Sequence, residues 1–325
     1  MKYFLYLSKL IAPNMKSQKI NLEYPFMFKI NPYSDLLEKH VQLWIDECLS
    51  LSLPVRNKHK KSCYGRLVAT FFPNATFEQL IPMCRWVVVC FIFDDYYGSH
   101  PLEELKKACQ KITEILNGEL PDPQYPEFFN MFFIGRNELL PFVTPCWIGR
   151  FNHHNQLWLD GMGTETLYNF KNATRYPTLE EYKSIRENIS GGRVLCDFFE
   201  IIAGLIMPEE MFSHPKIKRL RQLVTFMVSW CNDIHCVFWE FQRKEAMNLV
   251  LVIQNERNCS LESAYEEAHQ IHKNDLNEFL QISAHLPDFG QHNQALQNYI
   301  VQAGLLLKGH DAWYERTGRY SQPEI

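Results

Sequence analysis

Residues 215–245 read PKIKRLRQLVTFMVSWCNDIHCVFWEFQRKE, a stretch whose apolar residues recur every three or four positions. They cover nearly the whole circumference, which predicts a helix at the centre of a helical bundle rather than on its surface. Asn232, Asp233 and Glu240 interrupt this apolar surface. Because a carboxylate bordering an apolar core is costly unless it is paired, a hard divalent cation is one suitable partner.

One polar stripe runs along this predicted helix. Asn232, Cys236 and Glu240 are spaced by four residues, so they drift by only about 80° around the axis and lie on one face. An amide oxygen and a carboxylate on such a stripe can chelate Mg²⁺ with waters. The alternative is a polar stripe packed against another helix.

A second helix that is apolar nearly all round is predicted over residues 77–98, and it runs into Asp94-Asp95. Adjacent carboxylates cannot share one helix face. At a helix end, however, one can point inward while the other bonds a neighbouring group. A solvated helix terminus is the alternative.

The rest of the chain also has helical periodicity and no long alternating run, which predicts an all-α, single-domain bundle of about ten helices. Residues 1–28 are predicted to be an N-terminal extension, and residues 29–325 the α domain. The other predicted helices begin near residue 36 and span about 102–117, 128–138, 150–169, 179–206, 260–284 and 290–314.

Composition excludes several function classes. The 325 residues are 46% hydrophobic and carry a formal net charge of −4, so the charge gives no reason to bind nucleic acid. The glycine-rich nucleotide-binding motifs are absent, and no apolar run is long enough to span a membrane. The ten cysteines lack paired zinc-site spacing and are expected to be reduced thiols in a cytoplasmic protein.

Phe91-Ile92-Phe93-Asp94-Asp95, followed by Asn232-Asp233-x-x-Cys236-x-x-x-Glu240, resembles the two metal-binding motifs of class I terpene synthases of the microbial, single-α-domain type. The resemblance covers about residues 30 to 322. Arg186 lies 46 residues before Asn232, where that family has its pyrophosphate-sensing arginine. Arg319-Tyr320 matches the pair that closes over the diphosphate.

The resemblance implies the class I terpenoid synthase fold and a lyase that ionises a prenyl diphosphate, most readily farnesyl diphosphate. The carbocation would cyclise to a terpene, here a sesquiterpene, with release of pyrophosphate. Three Mg²⁺ ions are implied, with Mn²⁺ as a substitute, and a homodimer is left open. The implied metal-site residues are Asp94, Asp95, Asn232, Cys236 and Glu240. The implied catalytic residues are Asp94, Arg186, Ser190, Arg319 and Tyr320. The implied substrate-binding residues are Arg186, Arg319, Tyr320, Lys244, Phe91 and Trp313.

By similarity, the main chain near Ser190 would assist ionisation, and Gly191-Gly192 would permit a local break in the helix; close helix packing is the alternative for these glycines. Phe91 and Trp313 are candidates to stabilise a carbocation through their ring faces, with plain core packing as the alternative.

Three positions depart from the family pattern. No third acidic residue follows Asp94-Asp95 at the expected spacing, so Asp94 should be the principal ligand on that side. Cys236 replaces a hydroxyl, and a thiol is a poor ligand for a hard cation. Trp239 replaces a lysine that binds the diphosphate, for which Lys244 would compensate. These departures keep open a non-catalytic, isoprenoid-binding protein of the same fold; the absence of a second aspartate-rich motif speaks against a prenyl transferase.

Overall fold

A computed structural model describes residue 20 and residues 22–98, 100–168, 175–243 and 245–320. Within these ranges the chain forms fourteen α-helices and no strand, so the predicted all-α fold is confirmed. The helices are α1 (Ser34–Glu47), α2 (Leu53–Lys61), α3 (Tyr64–Phe71), α4 (Phe77–Tyr97), α5 (Leu102–Leu116), α6 (Phe129–Leu139), α7 (Pro145–Glu165), α8 (Leu179–Ile189), α9 (Gly192–Ala203), α10 (Glu209–Ser213), α11 (Pro215–Arg243), α12 (Leu249–Arg257), α13 (Leu261–Ala284) and α14 (Asn293–Tyr314). Short 3₁₀ turns occupy Leu140–Phe142 and Gly290–His292.

Helices α4 and α11 form the centre of the bundle, as their all-round apolar sequences predict. Helix α11 packs against α8, α9, α12, α13 and α14, while α4 packs against α1, α3, α6 and α9. Trp86 of α4 and Trp230 of α11 are almost completely buried. The carboxylates of these two helices therefore stand at the edge of the core rather than on an outer surface.

A capping box fixes the start of α4. The Thr76 hydroxyl accepts a hydrogen bond from the Gln79 backbone N–H, and the Gln79 side chain accepts one from the Thr76 N–H. The same arrangement of Thr178 and Glu181 starts α8. With their first turns anchored in this way, both helices carry their predicted functional residues in their last turns.

Four short helices were not predicted, namely α2, α3, α10 and α12. They have between five and nine residues, which is too few turns for a hydrophobic period to stand out from the sequence. The helix predicted over residues 179–206 is divided into α8 and α9.

The division between α8 and α9 uses the two adjacent glycines differently. Gly191 has a φ of +72°, a left-handed conformation that other residues adopt at a cost. At Gly192, an added Cβ atom would lie 2.6 Å from Cα of Thr225 on α11. Both interpretations of the glycine pair therefore hold: Gly191 permits the break and Gly192 permits close helix packing.

We expect Gly192→Ala to lower the free energy of unfolding by about 1–3 kcal/mol, because the backbone of α11 cannot yield to the added methyl group. Urea denaturation measures the change. Gly149→Ala is the matched control, since it lies in α7 with open space around it. That substitution should be neutral or stabilise by up to about 1 kcal/mol through helix propensity; equal losses in both variants would contradict the packing argument.

The described end of the predicted N-terminal extension packs on the domain. Leu22 and Tyr24 are buried, and the Tyr24 hydroxyl lies 2.7 Å from Nε2 of His272 on α13. Phe26 makes an edge contact with Phe279, with ring centroids 6.1 Å apart. Residues 22–26 thus contribute to the core.

Candidate active site

A cavity of about 400 Å³ opens among α3, α4, α7, α8, α9, α11 and α14. Its apolar wall comes from the middle of these helices and is rich in aromatic rings. Apolar lining residues include Leu67, Phe71, Trp86, Phe91, Trp158 and Phe198. A pocket of this size and composition can enclose a hydrocarbon chain away from water.

One end of the cavity is charged. Most of its charged residues lie within one turn of the C-terminal end of a helix, where the helix dipole favours cations. These residues are Asp94 and Asp95 of α4, Glu165 of α7, Arg186 of α8, and Glu240 and Arg243 of α11. Trp86 precedes Asp94 in α4 by eight residues. Because an α-helix rises by about 1.5 Å per residue, Trp86 lies roughly 12 Å from the charged end, measured along the helix axis. The cavity therefore has a charged end and an apolar interior.

Asp94 faces the cavity from α4. Its side chain is accessible from the cavity and makes no hydrogen bond or ion pair with any residue that the structure describes. The enclosing helices, and then the neighbouring Asp95 carboxylate, raise the pKa of Asp94 to about 6 against the opposing effect of Arg319. This carboxylate is thus the one on α4 that is positioned to bind a ligand in the cavity.

Asp95 is paired with cations instead. The Arg319 guanidinium donates two hydrogen bonds to its carboxylate, at 2.8 and 3.0 Å, and Lys58 lies 3.6 Å away. Burial alone would raise the pKa of Asp95, but Arg319, Lys58 and His59 together hold it well below its usual range. Asp95 consequently anchors Arg319 beside the cavity.

Aromatic side chains around Arg319 fix the orientation of its guanidinium group. Its Cζ atom lies 4.9 Å from the centroid of the Phe91 ring, and Nη1 donates to the Tyr64 hydroxyl at 2.7 Å. Tyr320 stacks on Tyr314, with centroids 5.7 Å apart. Arg319, Tyr320 and Phe91 all line the cavity.

The opposite wall belongs to α11. Asn232 Oδ1 accepts a hydrogen bond from Arg186 at 2.5 Å, and its Nδ2 donates to the Tyr314 hydroxyl at 2.7 Å. Glu240 accepts a hydrogen bond from Asn248 at 2.6 Å. Burial, and then the Asp233 carboxylate, raises the pKa of Glu240 to about 8. Asn232 and Glu240 both line the cavity, as their helical spacing predicts.

Asp233 points away from the cavity and is completely buried. It forms an ion pair with Arg186 at 2.7 Å and accepts hydrogen bonds from the Tyr182 hydroxyl and from the Leu249 N–H. Arg186 therefore bridges Asn232 and Asp233. Asp233 orients this arginine toward the cavity, a role that the sequence did not indicate.

The break after α8 brings backbone to the cavity. Ser190 and Gly191 both line it, and the Ser190 hydroxyl accepts a hydrogen bond from the Gly192 N–H at 3.2 Å. Arg193 pairs with Glu187 and is not among the lining residues.

The sequence profile of terpene synthase family 2, C-terminal metal binding, matches residues 85–278, more than half of the chain. The chain belongs to this terpene synthase family. Among its relatives, (+)-T-muurolol synthase ((2E,6E)-farnesyl diphosphate cyclizing) of Roseiflexus castenholzii is 26% identical over 309 residues, covering 93% of this chain and 94% of the relative. Germacrene A synthase of Nostoc punctiforme is also 26% identical over 309 residues, covering 92% and 94%.

Solved structures support the same fold. The crystal structure of a-eudesmol synthase aligns with a TM-score of 0.80 at 19% identity, covering 92% of this chain and all 100% of the other. The terpene synthase resemblance of the motifs and the all-α fold predicted from the helical periodicity are thus confirmed. No helix in the described ranges combines the length and apolarity needed to cross a bilayer.

Two described residues of this terpene synthase, Trp313 and Cys236, are placed differently from their predicted surroundings. Trp313 does not line the cavity; it is buried and its Nε1 donates to the Ser62 carbonyl oxygen at 3.0 Å, while the next residue, Tyr314, does line it. Cys236 is completely buried beneath Asn232, whose Nδ2 donates to its sulfur at 3.4 Å. Lys244 lies outside the described residues.

The oxygen donors of this terpene synthase fit a hard divalent cation. Asp94 and Glu240 offer carboxylates, and Asn232 Oδ1 keeps a second lone pair beside the one that Arg186 occupies. A bound cation would offset the repulsion and desolvation that raise the pKa of both carboxylates. The family segment that matches is the metal-binding one.

Cys231, His235 and Asp311 form a separate group whose potential ligand atoms lie within 4.8 Å of one another. His235 Nε2 lies 3.0 Å from Asp311, whose other oxygen pairs with Lys308 at 3.1 Å. The lysine supplies the positive charge there, so this group acts as an ion-pair network between α11 and α14.

Proposed function

We propose that this terpene synthase ionises farnesyl diphosphate in the presence of Mg²⁺ and cyclises the resulting carbocation to a sesquiterpene, releasing pyrophosphate. The observation that carries the proposal is the cavity itself, whose charged end adjoins an enclosed aromatic interior. The printed name of the relative from Roseiflexus castenholzii, which specifies farnesyl diphosphate cyclisation, supports the substrate.

The charged end would bind the diphosphate. Arg186 and Arg319 present guanidinium groups to the cavity, and Tyr320 adds a hydroxyl. Such donors stabilise the negative charge that develops on the leaving group as the C–O bond breaks. Asp233 and Asp95 hold the two arginines in place through the ion pairs described above.

Metal ions complete this clamp. We propose three Mg²⁺ ions, replaceable by Mn²⁺, held by Asp94 on one wall and by Asn232 and Glu240 on the other. When bound, Mg²⁺ acts as a Lewis acid that neutralises the departing diphosphate. The buried thiol of Cys236 and the cation-paired Asp95 contribute to the positions of Asn232 and Arg319.

The apolar interior would protect the carbocation. Phe91, Trp86 and Phe198 line the cavity, and aromatic rings stabilise a cation through their quadrupoles without providing a nucleophile. Trp86 is fixed by a hydrogen bond from Nε1 to Asn155 Oδ1 at 3.1 Å. Enclosure by these rings excludes the water that would otherwise quench the cation.

Product analysis tests the substrate. The purified protein is incubated with geranyl, farnesyl or geranylgeranyl diphosphate and Mg²⁺, and the extracts are separated by gas chromatography. We expect a cyclic C15 hydrocarbon or alcohol from farnesyl diphosphate as the main product. A larger yield from the C10 or C20 diphosphate would contradict the proposed chain length.

Introducing the hydroxyl of the family pattern at position 236 tests whether α11 contributes to metal binding. We expect Cys236→Ser to lower the Mg²⁺ concentration at half-maximal activity several-fold, because position 236 contacts Asn232 and a hydroxyl suits the surroundings of a hard cation better than a thiol does. Activity is measured over a series of Mg²⁺ concentrations. Cys231→Ser, five residues earlier on α11, is the control, because its sulfur lies beside His235 and Asp311; an equal change in both variants would contradict a local metal effect.

We also propose that residues 29–325 form one catalytic domain preceded by the extension of residues 1–28. The ten cysteines are all free thiols, which supports a reducing, cytoplasmic location.

A further inference from the structure

Glu165 is a carboxylate of the cavity that the motifs do not include. It is the last residue of α7, half-buried, and its side chain lines the charged end. Unlike Asp95 and Glu240, it makes no side-chain hydrogen bond or ion pair with the residues that the structure describes. A carboxylate held inside a protein without a partner is costly, so its position calls for a ligand.

The surroundings of Glu165 point to a cation as that ligand. Among charged groups, the Asp94 carboxylate raises the pKa of Glu165 most. Arg186 opposes that shift, and Glu245 and Asp233 raise the pKa further. Asp94 likewise makes no hydrogen bond or ion pair with the described residues. Two carboxylates from different helices therefore line one cavity without a partner among the described residues, and Arg186, the arginine that acts on both, is already bound to Asn232 and Asp233.

The sequence supplies a reason for this arrangement. After Asp94-Asp95 the chain continues Tyr96-Tyr97-Gly98, without a third acidic residue at the motif spacing. Helix α4 alone therefore offers one available carboxylate to a cation, because Asp95 is held by Arg319. A hard divalent cation binds more firmly when a second carboxylate joins the first.

We propose that Glu165 provides, from α7, the carboxylate that the aspartate-rich motif lacks, and that Asp94 and Glu165 together hold a divalent cation at the charged end of the cavity. This inference rests on the proposed function, since the cation is the one that would face the diphosphate. The carboxylates that face Asn232 and Glu240 would then come from two helices, α4 and α7, rather than from α4 alone.

Metal binding by the intact protein tests the inference without relying on turnover. Free Mn²⁺ is measured by electron paramagnetic resonance in the presence of inorganic pyrophosphate, for the wild type and for Glu165→Gln. We expect the glutamine variant to bind Mn²⁺ at least about tenfold more weakly. Asp160→Asn is the matched control, because this carboxylate lies on α7 outside the cavity lining and accepts a hydrogen bond from Gln156; its Mn²⁺ affinity should equal that of the wild type.

The folding of Glu165→Gln is checked by its Tm, which should be unchanged or higher in metal-free buffer because a repulsive charge is lost. Glu165→Asp, which keeps the charge on a shorter side chain, is the second variant and should show an intermediate loss. Wild-type Mn²⁺ affinity in both Glu165 variants, together with weaker binding in Asp94→Asn, would overturn this inference and leave the proposed function standing. Absence of Mn²⁺ binding by the wild type would instead contradict the proposed function.

Discussion

Asp94→Asn is expected to reduce pyrophosphate release from farnesyl diphosphate by at least about 10²–10³-fold while leaving the fold intact. The substitution removes the carboxylate that the structure leaves available on α4, and an amide cannot replace its charge opposite a cation. Because burial raises the pKa of Asp94 to about 6, the metal-free protein gains little from its charge. The Tm in metal-free buffer should therefore not fall.

Asp160→Asn also serves as the control for this prediction, since it makes the same chemical change outside the cavity. It should retain wild-type activity. More than about a tenth of the wild-type rate in Asp94→Asn would show that Asp94 is not essential to ionisation. A large drop in the Tm of that variant would mean that Asp94 has a structural role.

Arg186→Met is expected to lower the free energy of unfolding by about 3–5 kcal/mol as well as to abolish activity. It removes the ionic partner of Asp233, which is completely buried. Burial raises the pKa of Asp233 and Arg186 opposes that shift, so losing the arginine leaves a carboxylate that must be neutralised or rehydrated. Urea denaturation at neutral pH measures the loss.

Arg193→Met provides the comparison, because Arg193 forms an ion pair with Glu187 that is partly solvated. Loss of that pair should cost no more than about 1 kcal/mol. A similar loss of stability in both variants would contradict the special role of the Arg186–Asp233 pair. Retention of activity in Arg186→Met would contradict the role of Arg186 in binding the diphosphate.

The sequence predicted those parts of the site that depend on local spacing. Asn232 and Glu240 lie two turns apart, so helical geometry alone put both on the same side of α11. Asp94 and Asp95 stand at the end of an apolar helix, and the structure shows that one faces the cavity while the other bonds a neighbour. That neighbour, Arg319, is 224 residues away, a distance at which no local pattern gives the pairing.

Other features depend on how helices rotate and pack, which a single sequence does not encode locally. Adjacent residues on a helix point about 100° apart, so the choice between Trp313 and Tyr314 as a cavity residue depends on the rotation of α14. The hydrogen bond from Trp313 to Ser62 accompanies that rotation. Glu165 and Asp94 line the same cavity because α7 and α4 both border it, and no motif spacing connects the two residues.

Pyrophosphate release is the most direct test of the central claim that the charged end of the cavity ionises a prenyl diphosphate with the help of a divalent cation. The purified protein is assayed with farnesyl diphosphate in Mg²⁺ and, in parallel, after removal of divalent ions with EDTA. The account predicts release in Mg²⁺, matched in amount by a C15 product, and none in EDTA. Release at the level of the protein-free background in Mg²⁺, for farnesyl diphosphate and for its C10 and C20 counterparts, would contradict it.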